Sequence, residues 1–197
     1  MPRYKICLDP GHGGTEFGAV GSMGTKEKDI NLVVAKTVEG LLKQANIDVK
    51  MTRTTDETVS LEQRVNIANT YNADYFISIH CNAYTSDSHG TETYCYKYGG
   101  KGEILAKAIQ EALISSIKLA DRGIKEGNYY VLRLTNMPAV LTELAFLSNP
   151  EEEKLLLSPE FQNKCAEAIA RAIKKTLGIQ SNEPVIDEAW QWALEMG

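Results

Sequence analysis

The chain has 197 residues, 43% hydrophobic and 24% charged, which is room for one domain with a buried core and a short appendage. A net charge of −5 argues against nucleic acid and against an anionic membrane surface as the main partner, since both call for a basic face. It also gives the chain little long-range attraction to an acidic polymer. No stretch is apolar and long enough to span a bilayer, and Met1 to Leu8 lacks the apolar run of a signal peptide, so the chain as given is expected to be cytosolic when made. Cys7, Cys81, Cys95 and Cys165 show no Cys-x-x-Cys spacing, and three of them sit in apolar runs; free, mostly buried thiols are expected.

Lys5 to Leu8 reads as a buried strand that stops in Asp9-Pro10-Gly11, where proline fixes φ and glycine tolerates positive φ. This sets His12 at a strand's C-terminal end, the edge of an open α/β sheet where ligands and catalytic groups collect. A glycine-rich stretch, Phe17 to Gly24, leads to a helix with Ile30, Val33, Val34, Val38, Leu41 and Leu42 at helical spacing. Glu27 lies at the start of that helix, where a carboxylate is also favoured by the helix dipole alone. Ile47 to Thr52 alternates as a strand, and Ser60-Leu61-Glu62-Gln63 is a capping box opening a helix through Tyr71. Arg64, early in that helix, is either a clamp for a carboxylate or a solvated charge.

Tyr75 to His80 is a continuous apolar strand that again ends on a histidine, while His89 falls in a polar loop and is read as solvent-facing. Thr91 to Tyr96 alternates as a strand, Lys101 to Leu119 is a long amphipathic helix, and Tyr129 to Leu134 is read as a further strand. Ala139 to Glu143 follows Pro138 as a strand ending on a glutamate, a costly place for a carboxylate unless it is paired or faces an aqueous cleft. Asn149-Pro150 and Ser158-Pro159 each look like an N-cap with proline at the first helical position, and the second opens a helix through Leu177 that Gly178 stops. Gln180 to Pro184 reads as a polar linker, and Val185 to Gly197, with Trp190 and Trp192, as a short amphipathic helix belonging to a truncated second module.

His12, His80 and Glu143 at strand ends, with Glu27 at a helix start, would meet at one edge of a sheet. Two imidazoles and one carboxylate make the ligand set of a catalytic zinc that keeps a position for water. A second carboxylate, free of the metal, can carry a proton from that water to a leaving nitrogen. Two histidines and two glutamates therefore suit an amide hydrolase, and spacing alone does not say which glutamate has which task.

Four blocks assign the tasks by resemblance. Leu8-Asp9-Pro10-Gly11-His12-Gly13-Gly14, Lys26-Glu27-Lys28-Asp29-Ile30-Asn31-Leu32, Ser78-Ile79-His80-Cys81-Asn82-Ala83 and Pro138 to Asn149 resemble, in order, the signature blocks of the zinc-dependent N-acetylmuramoyl-L-alanine amidases. The resemblance runs from Lys5 to Leu177. It implies a single α/β domain, residues 1–179, with a mostly parallel twisted sheet of about six strands and helices on both faces, in agreement with the pattern above. It implies cleavage of the amide between N-acetylmuramic acid and L-alanine in peptidoglycan, with one zinc per chain on His12, Glu27 and His80 and with Glu143 as the catalytic glutamate. A monomer is expected, with neither nucleic acid nor membrane as a partner. The family usually has alanine at Cys81 and glycine at Ala145; Cys81 should point away from the face of His80 and is not counted as a ligand. Two alternatives stand beside this reading: a zinc carboxypeptidase using Arg64 or Arg122 to grip a terminal carboxylate, and a wall-binding module without catalysis. The chain resembles equally a phage lysin and the excised catalytic domain of an autolysin.

Overall fold

The computed structural model describes residues 3–179. Its elements in order are β1 (Lys5–Pro10), α1 (Glu27–Gln44), β2 (Asp48–Met51), α2 (Leu61–Tyr71), β3 (Tyr75–Asn82), β4 (Thr91–Cys95), α3 (Lys101–Ile117), β5 (Asp121–Glu126), α4 (Tyr130–Leu134), β6 (Ala139–Phe146), α5 (Pro150–Leu157) and α6 (Pro159–Thr176). The strands form one six-stranded sheet in the order β2-β1-β3-β6-β4-β5. Strands β2, β1, β3 and β6 run parallel, β4 is antiparallel to β6, and β5 is parallel to β4.

Both faces of the sheet are covered, as continuous apolar strands require. On one face α1, α3 and α6 bury Val34, Val38, Leu42, Leu105, Ile109, Leu113, Ile169 and Ile173 against Ile6, Leu8, Ile77, Ile79 and Val140. Each such side chain removed from water contributes roughly 1.5–3 kcal/mol, so this layer dominates the stability of the domain. The other face is thinner: Val65 and Ala68 of α2 and Val131 and Leu132 of α4 cover Cys7, Phe76 and Leu141. Local signals act where expected. Ser60 accepts from the Gln63 amide while the Gln63 side chain accepts from the Ser60 amide, and Asn149 and Ser158 cap α5 and α6 ahead of their prolines. All four cysteines are free and buried.

Two expectations fail. Tyr129 to Leu134 is not a strand: residues 130–134 form a single helical turn that drops Val131 and Leu132 into the thin core, so tertiary packing overrides a β-rich composition. The missing strand is β5, Asp-Arg-Gly-Ile-Lys-Glu, a largely exposed edge strand whose charges hide it from hydrophobic patterning. The linker and short helix read over Gln180 to Gly197 lie outside the described residues.

Candidate metal centre

Parallel strands deliver their C-terminal ends to one edge, and β4, running the other way, brings its N-terminal end there. Along that edge His12 follows β1, His80 and Glu143 are direct neighbours on β3 and β6, and Glu92 of β4 stands opposite Glu143. Glu27, in the first turn of α1, reaches in from the side.

The ligating atoms of His12, Glu27 and His80 all lie within 4.8 Å of one another. Glu27 Oε1 is 2.9 Å from His80 Nδ1, and Glu27 Oε2 is 3.2 Å from His12 Nε2. The two imidazoles meet edge to face with ring centroids 5.0 Å apart. Ligands of tetrahedral zinc, each about 2.0–2.2 Å from the ion, stand roughly 3.3 Å apart, so this donor set fits the ion in both chemistry and spacing. Glycine makes the approach possible. A side chain at Gly11 would enter the His80 ring, and one at Gly18, whose φ is +68°, would strike Glu27 and His12.

Glu27 does not cap α1. Its Oε2 accepts from the Ala19 amide at 2.8 Å, and its Oε1 accepts from Asn31 Nδ2 and the Cys81 amide at 3.1 Å each. Burial would raise its pKa, but the hydrogen bonds from His12 and His80 outweigh that and hold the carboxyl well below the usual carboxylate range. His80 is in turn raised: burial opposes its charge and the bond to Glu27 wins.

His12 has a positive φ of 59°, a conformation that non-glycine residues adopt only when the surroundings impose it. Two buried arginines impose it through the carbonyls of the turn. Arg53 donates to Pro10 O and Gly11 O at 3.0 Å each, and Arg64 donates to Pro10 O and His12 O at 2.8 Å each. Arg53 also donates to Lys28 O at 2.8 Å, tying the turn to the start of α1. The counter-charge is Asp9, which accepts from Arg64 at 2.7 Å, Thr52 Oγ at 2.6 Å and Ser78 Oγ at 2.7 Å. Burial alone would raise Asp9; Arg64 and the two hydroxyls keep it below the ordinary value. Arg64 therefore clamps a carboxylate, but one inside the fold. The proline of Asp-Pro-Gly makes the turn visible in sequence, whereas the second use of Asp9 needs the register of β2 and β3 to be seen.

Glu143 differs from every other acid at this edge. Its Oε2 is covered and accepts no hydrogen bond among the described residues. Burial pushes the carboxyl up to about 7; the charges of Glu27 and Glu92 add to the rise and His80 works against it. Next to it, Glu92 is buried and saturated: Oε1 accepts from Asn82 at 2.8 Å and Tyr94 OH at 2.6 Å, and Oε2 from Arg122 at 2.6 Å and from Lys125. Against the pull of burial, Lys125, Tyr94 and Arg122 hold Glu92 at about 2. Glu92 escaped the sequence reading, because a glutamate in an alternating strand looks solvent-facing until its cross-strand neighbours are known.

A cleft of about 690 Å³ opens over these groups, lined by His12, Glu27, His80, Asn82, Tyr129, Val131, Leu141 and Glu143 among others. Cys81 takes no ligand position, with its Sγ at 3.6 Å from Asn31 Oδ1. His89 lies in an exposed loop with Nδ1 2.9 Å from Asp87 O, away from the cleft.

Residues 6–175 match the family described as N-acetylmuramoyl-L-alanine amidase. The protein YqiI of Bacillus subtilis is 42% identical over 170 residues, covering 85% of this chain and 82% of its own length. The N-acetylmuramoyl-L-alanine amidase CwlM of Bacillus licheniformis is 38% identical over 181 residues, covering 90% of this chain and 70% of the relative. Among solved structures, the catalytic domain of CwlV, an N-acetylmuramoyl-L-alanine amidase from Bacillus (Paenibacillus) polymyxa var. colistinus, superposes with a TM-score of 0.86 at 40% identity, covering 90% of this chain and 99% of that domain.

Proposed function

Because the chain belongs to the N-acetylmuramoyl-L-alanine amidase family, we propose that it hydrolyses the amide between N-acetylmuramic acid and L-alanine in peptidoglycan, with one zinc on His12, Glu27 and His80 and with Glu143 moving the proton. The observation that carries this reading is the pairing, on one sheet edge, of a converging His-Glu-His group with a covered carboxylate oxygen that has no partner among the described residues. Zinc bound to such a set supplies Lewis-acid chemistry, acidifying water and polarising a carbonyl oxygen.

The chain's own residues do the rest. Glu27 arrives ionised and fixed by three N–H donors, so it keeps its charge and aim while a substrate comes and goes. Glu143, with a pKa near 7, is suited to take a proton from the attacking water at Oε2 and return it to the nitrogen of the departing L-alanine. Asn82 and Tyr129 line the same cleft as Glu143.

The carboxypeptidase alternative loses Arg64, which is buried and spent on Asp9, and Arg122 is held by Glu92 at 2.6 Å. A module that only binds walls has no use for a carboxylate left without a partner, which costs stability and does nothing for adhesion. Residues 1–179 are the catalytic unit in this reading, consistent with Leu177 and Ile179 packing on the main core, and the remainder belongs to a further module. The unit acts as a monomer at the wall. Among the described residues no helix is long and apolar enough to cross a membrane.

The test joins metal analysis to product analysis. One zinc per chain, loss of activity on chelation with recovery on adding zinc, and new L-alanine amino termini from wall fragments are expected. New carboxyl termini from stem peptides without new L-alanine amines would make the enzyme a carboxypeptidase.

A further inference from the structure

Of the three N–H donors to Glu27, one belongs to a loop. Asn31 is one turn along α1 and Cys81 is on β3, whereas Ala19 sits in the glycine-rich stretch before α1. That stretch doubles back on itself. Ala19 O accepts from the Glu27 amide at 3.0 Å, Val20 bridges to Lys26, and the Gly21 amide donates to Thr25 O at 2.9 Å. The base of the loop thus aims Glu27 Oε2, the oxygen 3.2 Å from His12 Nε2.

Apolar packing does little to hold the tip of this loop, since Val20 and Met23 are 54% and 52% exposed. The tip closes instead on Glu153 of α5, a fully buried carboxylate. Ser22 Oγ donates to Glu153 Oε2 at 2.8 Å, and the Met23 amide is shared between Oε1 at 3.0 Å and Oε2 at 3.2 Å. A side chain at Gly21 would run into the same carboxylate. Burial would raise the pKa of Glu153, and bonds from Ser22, Thr25 and Met23 hold it below the ordinary value. Among the described residues, every hydrogen bond this carboxylate accepts comes from the loop. The preceding residue, Glu152, lies about 100° round the helix and serves another purpose. It accepts from the Gly90 amide at 2.7 Å and the Phe146 amide at 2.6 Å.

We propose that Glu153 is a positioning residue for the metal ligand Glu27, acting through the loop from Ala19 to Thr25. The proposal rests on the zinc assignment above. Glu153 touches neither the ligand group nor the cleft. It fixes Ser22 and Met23 at the tip, the paired strands of the loop carry that position to Ala19, and the Ala19 amide sets the direction of Oε2. With the anchor gone, Glu27 keeps the donors to Oε1 from Asn31 and Cys81, so the ligand is loosened and not lost. The zinc Kd should therefore rise by about tenfold, the low end of what losing a partner behind a metal ligand costs.

The experiment measures the zinc Kd by competition with a chelator, and the visible absorption of the cobalt-loaded protein, which reads ligand geometry. Glu153→Gln keeps the volume but turns an amide toward donors. Gly21→Ala leaves Glu153 intact and pushes the loop off it, so it decides the matter should Glu153→Gln fail to fold. Both are expected to weaken zinc about tenfold and to shift the cobalt spectrum. Glu152→Gln, which disturbs a buried carboxylate of the same helix, should lose stability in urea yet keep the wild-type zinc Kd and spectrum. Wild-type zinc binding and cobalt spectrum in Gly21→Ala, or an equal loss of zinc affinity in Glu152→Gln and Glu153→Gln, overturns the positioning role and leaves the zinc assignment standing. Wild-type protein that binds no zinc overturns both.

Discussion

Glu27 and Glu143 lie at the same sheet edge, both touch His80's surroundings, and they are treated by the fold in opposite ways. Glu27 is given three N–H donors and two imidazoles, and its pKa is driven down. Glu143 is given a covered oxygen with no donor among the described residues, and its pKa is driven up to about 7. The contrast shows how one side-chain type fills two roles. A carboxylate that holds a cation must be charged before the cation comes, and donors secure that. A carboxylate that carries a proton must accept and release it near neutrality, and withholding donors secures that.

Removing ligands should give the largest effect. His80→Ala is expected to abolish tight zinc binding and with it turnover, and Glu27→Gln, which removes the charge but keeps the volume, should also lose zinc. Metal content after dialysis measures both, and full occupancy in either would break the contrast at the Glu27 side. Glu143→Gln should do the converse, keeping zinc while turnover falls about 10² to 10⁴-fold, the usual share of proton transfer. Loss of zinc from Glu143→Gln with retention in Glu27→Gln would exchange the two roles.

Asp9→Asn sharpens the comparison from behind the site, because it leaves Arg64 as a buried charge without its partner. A loss of about 3–5 kcal/mol in urea unfolding is expected. Zinc affinity should also fall by about 10 to 100-fold as the His12 turn loosens, the usual effect of losing a partner one shell behind a ligand. Unchanged zinc affinity would mean that the turn holds His12 without the arginines.

Glu92 gives the smallest and most gradual effect, in acid. Its folded pKa of about 2 lies below the ordinary 4.5, so the stability it contributes is complete above pH 4.5 and drains away as pH falls toward 2. Asn82, Tyr94, Arg122 and Lys125 face it, with Glu143 across the strand pair. Glu92→Gln should flatten that part of the stability profile, and an unchanged slope between pH 4.5 and 2 would remove Glu92 from the acid response.

The sequence displayed the line of catalytic groups better than it displayed what supports them. His12, His80 and Glu143 each end an apolar run, and an apolar run is the strongest local signal a strand sends. Glu27 is legible as a helix start, although its hydrogen-bond partners come from Ala19, Asn31 and Cys81, of which only Asn31 is on its own helix. Arg53 sends no signal, since a lone arginine after a strand reads as solvated until the carbonyls of Pro10 and Gly11 are folded onto it. Lys125 was missed for a further reason. Its strand is polar and at the sheet's edge, so the pattern that found the other five strands passed over it, and the aromatic run at Tyr129 to Leu134 took its place in the count.

The His12 turn also bears on when the metal is needed. Its left-handed backbone is imposed by Arg53, Arg64 and Asp9, which are all inside the domain and none of which is a ligand. The metal-free chain is therefore expected to fold on its own, unlike small zinc domains that condense around their metal. Stripped enzyme should stay native in its far-ultraviolet signature and regain activity without refolding, so that loading is a separate event, open to whatever metal supply the finished protein encounters.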